Sequence, residues 1–278
     1  MGLSSTDFEP WLTRWGLQPD GAPTVTEVSR SLLAPVRKDG EPAMLKIATE
    51  PEERRGADLM TWWAGEGAAP VFAHEGPALL MLRAEGERSL VRMAAGGEDE
   101  EASEIICAAV AALHRPRPAP PPASLRRLRP WFQALEAAAS QGGRLGEAWR
   151  IAAELFAEPR DVAVLHGDVH HGNILDFGAR GFLAIDPKGL LGERGYDYAN
   201  LFRNPDESLV PGRRIATDPG RLARRLEIVA RLAGLDRARL LRWIIAHAGL
   251  SSAWLAEVGG DSSLNLEIID IALALLES

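Results

Sequence analysis

The spacing of hydrophobic residues changes along the chain, from short runs near the N-terminus to long helical periods after about residue 100. Up to about residue 84, short apolar runs alternate with turn residues, which is typical of strands. The Asp39-Gly40 pair predicts a hairpin turn. The pattern predicts a helix at 51–63, beginning at a proline, and strands at 24–28, 32–36, 43–48, 71–73 and 78–82.

From about Glu101 onward, apolar residues recur mainly at helical spacing. A proline-rich surface spacer at 115–122 follows the first helix of this part. Helices are predicted at 102–113, 125–140, 145–157, 196–202, 219–233, 237–257 and 264–276, and strands at 162–165, 174–177 and 182–185. This order predicts an α+β fold with two lobes and a ligand site in the cleft between them.

Composition narrows the classes of partner. The chain has 278 residues, a formal net charge of -8 and a pI near 5.4, so we expect no nucleic-acid partner and a preference for cationic small molecules. Cys107 is the only cysteine, which excludes a disulfide framework and a cysteine-based zinc site. No apolar run has the length of a membrane span and no signal peptide is recognisable, so a cytoplasmic protein without a membrane partner is expected.

The densest polar cluster is His166-Gly167-Asp168-Val169-His170-His171-Gly172-Asn173, between an apolar strand and a predicted hairpin that ends at Asp186. Phosphoryl-transfer sites use an aspartate to orient the acceptor hydroxyl and an asparagine five positions later to bind Mg²⁺. A second aspartate meets the same ion, because Mg²⁺ prefers oxygen ligands. Asp168 is therefore the candidate catalytic residue, and Asn173 and Asp186 are the candidate metal ligands.

Lys46 lies in an apolar predicted strand, where burying its charge requires an anionic partner. Such a partner is supplied by the α- and β-phosphates of ATP together with a helix glutamate. The simpler explanation is a strand lysine whose ammonium group reaches water, and it is favoured for Lys46 alone. Combined with Asp168, Asn173 and Asp186 in this chain order, the phosphate-binding explanation is favoured instead.

A different reading of the cluster is a transition-metal site built from His166, Asp168, His170 and His171, as in a metallohydrolase. It explains the density of histidines but leaves Lys46 without a role. We therefore place it behind the kinase. His166 is then expected to hold the loop by hydrogen bonds, and His170 and His171 to pack the loop or contact substrate.

Residues 166–200, HGDVHHGNILDFGARGFLAIDPKGLLGERGYDYAN, closely resemble the aminoglycoside phosphotransferases, and most of all their streptomycin and hydroxyurea phosphotransferase branch. The resemblance extends more loosely over most of the chain. It implies a protein-kinase-like bilobal fold, with a small β-rich nucleotide-binding lobe at 1–84 and a larger, mainly helical lobe at 85–278 for catalysis and substrate binding. It also implies ATP- and Mg²⁺-dependent phosphorylation of an antibiotic hydroxyl, which in the streptomycin branch is the six-position hydroxyl.

Carried over by position, the resemblance assigns Asp168 as the catalytic aspartate, Asn173 and Asp186 as Mg²⁺ ligands and Lys46 as the phosphate-binding lysine. The backbone of Leu82 and Ala84 corresponds to the segment between the lobes that contacts adenine. Asp197 corresponds to a family aspartate with an expected structural role.

The chain departs from the family pattern at three places. The partner glutamate of the lysine aligns near Gly56, so Glu53 or Glu52 must replace it. The glycine-rich phosphate loop is absent, and Ser29 and Ser31 are the candidate phosphate contacts in its place. Lys188 follows Asp186 closely and either touches a phosphate or remains a solvated loop lysine, with neither option favoured.

The acceptor is less determined than the chemistry. Acidic residues near the C-terminus suit the cationic groups of an aminoglycoside, although most are expected to lie on solvated helix faces; they are Glu257, Asp261, Glu267, Asp270 and Glu277. Two alternatives remain: a kinase for another small hydroxylated metabolite, of hydroxyurea, choline or amino-sugar type, and a nucleotide-binding pseudokinase.

Overall fold

The structure is a computed structural model and describes residues 7–26, 31–48 and 50–278. Its N-terminal part is an antiparallel sheet with one helix before it and one inserted into it. The elements are α1 (Glu9–Trp15), β1 (Leu17–Pro19), β2 (Thr24–Val25), β3 (Leu32–Lys38), β4 (Glu41–Ile47), α2 (Pro51–Trp63), β5 (Val71–Glu75) and β6 (Ala78–Leu82). The strand order is β1-β3-β4-β6-β5, and β2 pairs with β3.

Alternation along β4 decides where Lys46 lies. Leu45 and Ile47 are buried in a small core on one face of the sheet, together with residues of β3 and β6. Successive side chains of a strand point to opposite faces, so Lys46 lies on the other face, towards α2. The pairing of Lys46 with Leu33 and Leu79 keeps the lysine in the middle of the sheet.

Helix α2 joins the sheet to the rest of the molecule. It begins at Pro51, whose missing N–H costs nothing in the first turn, and two glutamates follow at the positive end of the helix. Leu59, Met60 and Trp63 on its buried face belong to the large core shared with the C-terminal helices. The helix therefore positions its first-turn glutamates above the junction between the two parts.

The C-terminal part is mainly helical and carries two small sheets, one of two strands and one of three. Strands β9 (Ile174–Asp176) and β10 (Phe182–Ala184) form a hairpin, and β11 (Leu190–Glu193) pairs with β7 (Arg126–Arg127) and β8 (Val162–Leu165). The α-helices are α3 (Leu90–Gly96), α4 (Asp99–Leu113), α5 (Leu128–Trp131), α6 (Gln133–Ala138), α7 (Gly143–Ala157), α8 (Gly195–Ala199), α9 (Pro219–Ala233), α10 (Arg237–Glu257) and α11 (Ser263–Glu277).

Helix α10 forms the centre of this part. Its middle section is buried from Leu240 to Ala253 except for one partly exposed residue, and it packs against α7, α8 and α11. A buried ion pair between Arg225 and Asp99 connects α9 to α4. Arg225 also donates to the carbonyl oxygen of Asn204, so its charge has several partners in the interior.

The predicted elements are largely confirmed, with corrections at three places. The helix predicted at 125–140 is instead β7 followed by two short helices, with Pro130 inside the first of them. Helices α1 and α3, with strands β1 and β11, were not predicted, because their apolar runs are too short to show a period. The strand predicted at 24–28 is confirmed at 24–25, and residues 27–30 lie outside the described part of the chain.

Candidate active site

Two cavities lie on either side of one loop. The first, which we call the sheet-side cavity, has a volume of about 300 Å³ and is lined by residues of β4 and β6, by Asn173 and by Asp186. The second, the helix-side cavity, has a volume of about 650 Å³ and is lined by Asp168, Lys188 and residues of α10. Asn173 Nδ2 donates to the backbone oxygen of Asp168 at 2.9 Å, so the linings of the two cavities are in direct contact.

Asp197 holds the loop after β8 through hydrogen bonds to its backbone. Its carboxylate accepts from the backbone N–H of His166 at 2.9 Å and of Gly167 at 2.7 Å, and from Nε2 of His114. Gly167 has a φ of +88°, and a Cβ there would collide with Leu190, so the turn requires glycine. The structural role predicted for Asp197 agrees with these contacts.

His166 fixes the same loop from the other side. It is fully buried, Nε2–H donates to the carbonyl oxygen of Ile185 at 2.8 Å, and Nδ1 accepts from the N–H of Asp168. Burial lowers the pKa of His166, and the two contacts require the neutral ring. His166 therefore connects the loop to the hairpin that carries Asp186, as expected from the sequence.

Asp168 projects into the helix-side cavity with a defined orientation. Asn200 Nδ2 donates to Oδ1 at 2.9 Å, and Asn173 Nδ2 lies 3.4 Å from Oδ2. Because two amide groups already hold the carboxylate in one orientation, no further conformational entropy is lost to orient it when the reaction occurs. This geometry suits a group that orients an incoming hydroxyl.

Asn173 and Asp186 are brought together by the β9–β10 hairpin. The N–H of Ile185 donates to the backbone oxygen of Asn173 at 2.9 Å, which places Asp186 beside it at the edge of the sheet-side cavity. Because Asn173 Nδ2 is bonded to Asp168, its Oδ1 is the atom available to a cation. An amide oxygen next to a carboxylate is a donor set that fits Mg²⁺, which completes its shell with water and phosphate oxygens.

Lys46 reaches this edge from the sheet. Its ammonium group contacts both Glu53 and Asp186, 140 residues away in sequence. Burial by itself raises the pKa of Asp186, but the charges of Lys46 and Lys188 outweigh it and hold that pKa far below its usual value. Of the two candidate partner glutamates, Glu53 is the one that Lys46 contacts, and only 5% of its side chain is exposed.

Gly56 explains the departure from the family pattern. A Cβ at this position of α2 would lie closer than 3.0 Å to the carbonyl oxygen of Pro187. A glutamate at Gly56 is therefore excluded by the close approach of α2 to the segment after Asp186. One turn earlier, Glu53 has the space and the direction to reach Lys46.

Lys188 is enclosed, with 15% of its side chain exposed, so the expectation of a solvated loop lysine is not supported. Burial lowers its pKa, but the surrounding carboxylates, led by Asp186 and Asp168, raise it above its ordinary value. The ammonium group is therefore protonated at neutral pH.

Only some of the predicted nucleotide-contact residues line the sheet-side cavity. Leu82 and Ala84 line it, and the N–H of Leu82 is already used by the carbonyl oxygen of Pro70. Ser31 is buried and pairs with Thr26, and among the described residues Thr26 rather than Ser31 lines the cavity. Ser29 lies outside the described residues.

The geometry does not support a transition-metal site. In the described ranges 7–26, 31–48 and 50–278, no group of three or more histidine, cysteine, aspartate or glutamate side chains is placed to hold a metal ion. His166 uses both ring nitrogens in the loop, and His171 is buried near Arg225. Burial, followed by the positive charge of Arg225, lowers the pKa of His171 well below its ordinary value.

Only one of the predicted C-terminal acids lines the helix-side cavity. Glu257, at the end of α10, contributes to its wall, together with Trp131 and Trp254. Glu267 and Asp270 form ion pairs with Arg214 and Arg144 on helix surfaces, and Asp261 accepts from Ser263. The expected position on an exposed helix face is found for Glu267 and Asp270, which lie in α11, whereas Asp261 is exposed in the loop before that helix.

Sequence reasoning missed Asn200 and the aromatic wall. Asn200 and Asp197 are three residues apart in a helical turn, so both reach the same loop, and this spacing is a signal that could have identified Asn200. Trp131 and Trp254 pack edge to face with ring centroids 5.4 Å apart, although 123 residues separate them in sequence. No local pattern links two such positions.

The chain is similar to known proteins over nearly its whole length. A family profile described as aminoglycoside/hydroxyurea antibiotic resistance kinase matches residues 14–259. A streptomycin 3''-kinase of Klebsiella pneumoniae is 52% identical over 87% of this chain and 90% of its own, and a streptomycin 6-kinase of Streptomyces glaucescens is 32% identical over 96% and 87%.

Comparison with solved structures identifies the fold. A thermostable mutant of aminoglycoside phosphotransferase APH(4)-Ia, in a ternary complex with AMP-PNP and hygromycin B, superposes with a TM-score of 0.64. It is 11% identical, and the likeness covers 98% of this chain and 100% of that one. The α+β, protein-kinase-like fold is therefore confirmed. In the part of the chain that the structure describes, no helix is long and apolar enough to cross a bilayer. The chain belongs to the aminoglycoside/hydroxyurea antibiotic resistance kinase family.

Proposed function

We propose that the protein transfers the γ-phosphoryl group of ATP to a hydroxyl group of streptomycin and so gives resistance to this antibiotic. The observation that carries the proposal is the placement of Asp168 in one cavity and of Asn173 and Asp186 in the other, across a contact of 2.9 Å. Such a junction lets an acceptor and a nucleotide meet end to end. The similarity to a streptomycin 3''-kinase supports the choice of acceptor.

The sheet-side cavity is the proposed nucleotide site. The base lies against the segment from Leu82 to Ala84, and Lys46, held by Glu53, binds the phosphates. Asn173 and Asp186 hold Mg²⁺, which neutralises phosphate charge when bound. The strand-rich residues 1–84 then form the nucleotide-binding lobe, and residues 85–278 form the lobe for catalysis and substrate binding.

Asp168 accepts the hydrogen bond of the acceptor hydroxyl and aims its oxygen at the γ-phosphorus. Phosphoryl transfer has a loose transition state, so orientation contributes more than early removal of the proton. Asn200 and Asn173 hold the carboxylate in place during this step. The proton passes to Asp168 as the oxygen–phosphorus bond forms.

The helix-side cavity suits a large cationic acceptor. Its volume of about 650 Å³ exceeds what hydroxyurea or choline needs. Streptomycin carries two guanidinium groups, which can pair with the carboxylate of Glu257 and stack on the indole of Trp254. The cavity therefore favours streptomycin over the smaller acceptors of related kinases.

Among the hydroxyl groups of streptomycin, the 3'' position is our preferred acceptor. The sequence resemblance alone implied the six-position hydroxyl. Identity with the 3''-kinase is 52%, whereas identity with the 6-kinases of two Streptomyces species is 32%. The higher similarity supports transfer to the 3''-hydroxyl in place of the 6-hydroxyl.

The test is transfer of phosphate from MgATP by the purified protein, with streptomycin, hydroxyurea, choline and hygromycin B as parallel acceptors. We expect one phosphate on streptomycin, assigned to its 3''-oxygen by phosphorus–proton NMR correlation. Phosphate at the 6-oxygen would overturn the position alone. Transfer only to hydroxyurea or choline would overturn the acceptor, and nucleotide binding without turnover of any acceptor would indicate a pseudokinase.

The role of Glu257 has a test of its own. Glu257→Gln keeps the shape and removes the charge, so KM for streptomycin is expected to rise several-fold with little change in KM for ATP. Glu267→Gln is the matched control, because Glu267 pairs with Arg214 on the surface. Equal effects of the two substitutions would contradict a guanidinium contact at Glu257.

A further inference from the structure

Lys188 lies where the linings of the two cavities meet. Its Nζ is 3.9 Å from Oδ2 of Asp168, which faces the acceptor side, and 3.6 Å from Oδ2 of Asp186, which faces the nucleotide side. The same ammonium group lines the helix-side cavity. A phosphoryl group passing from one cavity to the other must cross the space between these two carboxylates.

One buried carboxylate holds both lysines of the site. Glu53 Oε2 contacts Lys46, and Glu53 Oε1 accepts from Nζ of Lys188 at 3.2 Å. Lys46 lines the sheet-side cavity and Lys188 the helix-side cavity. Glu53 therefore lies between two positive charges, that of Lys46 at the sheet-side cavity and that of Lys188 at the helix-side cavity.

The backbone around Lys188 is fixed independently of its charge. Its N–H donates to the carbonyl oxygen of His166 at 2.7 Å, and Pro187 packs against Gly56 of α2. Gly189 follows with a φ of +67°, in a turn where a Cβ would press on Arg55. The main chain thus aims the side chain at the junction, and 15% of it is exposed.

The position of the positive charge matters for the chemistry. During transfer, negative charge spreads over the three outer oxygens of the moving phosphoryl group. A fixed ammonium group beside that path stabilises the transition state more than the bound substrates, because the charge develops close to it.

We propose that Lys188 is a second catalytic residue, whose ammonium group, held in place by the four surrounding carboxylates, contacts the γ-phosphoryl oxygens as they move from ATP to the acceptor. The bond from the bridging oxygen to the γ-phosphorus breaks, its electron pair leaves with ADP, and the acceptor oxygen forms the new bond to phosphorus. The hydroxyl proton goes to Asp168. Lys188 stays protonated throughout and only stabilises charge. This assignment rests on the proposed kinase function of the same site.

The primary test compares Lys188→Ala and Lys188→Arg with the wild type in steady-state transfer and in equilibrium binding of MgATP. For Lys188→Ala, we expect kcat to fall roughly 10²–10³-fold while the Kd for MgATP stays within about threefold. Lys188→Arg should recover part of kcat, and added methylammonium should raise the kcat of Lys188→Ala. A kcat within about threefold of the wild type, or a loss that follows the Kd for MgATP, would overturn the proposal.

A double variant separates catalysis from simple neutralisation of the carboxylates. Glu52 lies 3.7 Å from Lys188 and, unlike Glu53, Asp168 and Asp186, has no proposed role in catalysis or nucleotide binding. If Lys188 only offsets the charge of Glu52, Glu52→Gln will restore kcat to Lys188→Ala. We expect no recovery relative to Glu52→Gln alone, and full recovery would refute the assignment.

The wild-type arm keeps this proposal distinct from the proposed function. Transfer to streptomycin by the wild type tests the function, whereas the ratio of variant to wild type tests Lys188. The same ratio is measured on MgATP hydrolysis without acceptor, where water accepts the phosphoryl group. If Lys188→Ala hydrolyses MgATP as fast as the wild type does, so that this ratio is near one, a role for Lys188 in phosphoryl transfer is also refuted.

Discussion

Gly56→Ala is the substitution for which the structure predicts a result opposite to that of helix propensity. Gly56 lies inside α2, where alanine is normally better than glycine by about 1 kcal/mol. Here the new methyl group would lie closer than 3.0 Å to the carbonyl oxygen of Pro187. Backbone, unlike the end of a flexible side chain, moves only together with its neighbours.

The expected size of the effect follows from two opposing contributions. Overpacking in a well-packed interior costs about 1–3 kcal/mol, and an obstacle made of backbone places this site near the upper value. Subtracting about 1 kcal/mol for the better helix propensity leaves a net destabilisation of about 2 kcal/mol. For a chain of this size, that lowers Tm by roughly 4–8 °C.

The displaced segment carries the active site, so function should suffer as well. Pro187 follows Asp186 directly, and α2 holds Glu53, so pushing the two apart separates Lys46 from one of its carboxylates. KM for ATP is therefore expected to rise more than KM for the acceptor. The assay is thermal unfolding by calorimetry together with steady-state kinetics.

Gly146→Ala is the matched control. Gly146 also lies inside a helix, and a Cβ there meets only the carbonyl oxygen of Ala139, at an ordinary 3.4 Å. This variant should gain about 1 kcal/mol and about 2–4 °C in Tm, with unchanged kinetics. If Gly56→Ala were stabilised like Gly146→Ala, the close approach of α2 to Pro187 would be wrong.

Three further outcomes are expected. Asp168→Ala should lower kcat roughly 10²–10⁴-fold and keep its affinity for MgATP, whereas Asp186→Ala should weaken MgATP binding itself. Calorimetric titration with MgATP distinguishes the two variants, and equal losses of affinity would contradict the assignment. Asp197→Ala leaves two buried backbone N–H groups without an acceptor, so urea unfolding should show a loss of roughly 2–6 kcal/mol, and a loss under 1 kcal/mol would be inconsistent with these contacts. Burial raises the pKa of Cys107 to about 12, so a disulfide reagent should label the thiol only in the unfolded protein; rapid labelling of the native protein would show that it is accessible.

Local spacing made the loop and its hairpin readable from the sequence. Asp168 and Asn173 are close in the chain, so the conformation of one loop decides their distance. The glycine-framed turn after β9 returns the chain beside Asn173, and this antiparallel pairing brings Asp186 with it. The helices with clear apolar periods were readable for the same reason, since their burial depends on one face.

Contacts between distant parts of the chain were not readable in this way. The partner of Lys46 remained open between Glu53 and Glu52, because a choice between adjacent residues of a helix depends on how that helix is rotated. The sequence does not decide whether Lys188 contacts a phosphate or is a solvated loop lysine, because the residues around it are compatible with both roles. Its contact with Glu53 spans 135 residues and exists only once α2 packs against Pro187.

The sequence by itself determined the α+β class, the loop with Asp168 and Asn173, the hairpin to Asp186 and the lysine of the third predicted strand, because short-range spacing and period control each of them. Tertiary structure alone decided that Glu53 holds two lysines, that Lys188 stands between the cavities and that Trp131 and Trp254 form one wall. These features depend on the packing of α2 and α10 against the rest of the molecule. Packing minimises the free energy of the whole chain, so no single segment contains the information.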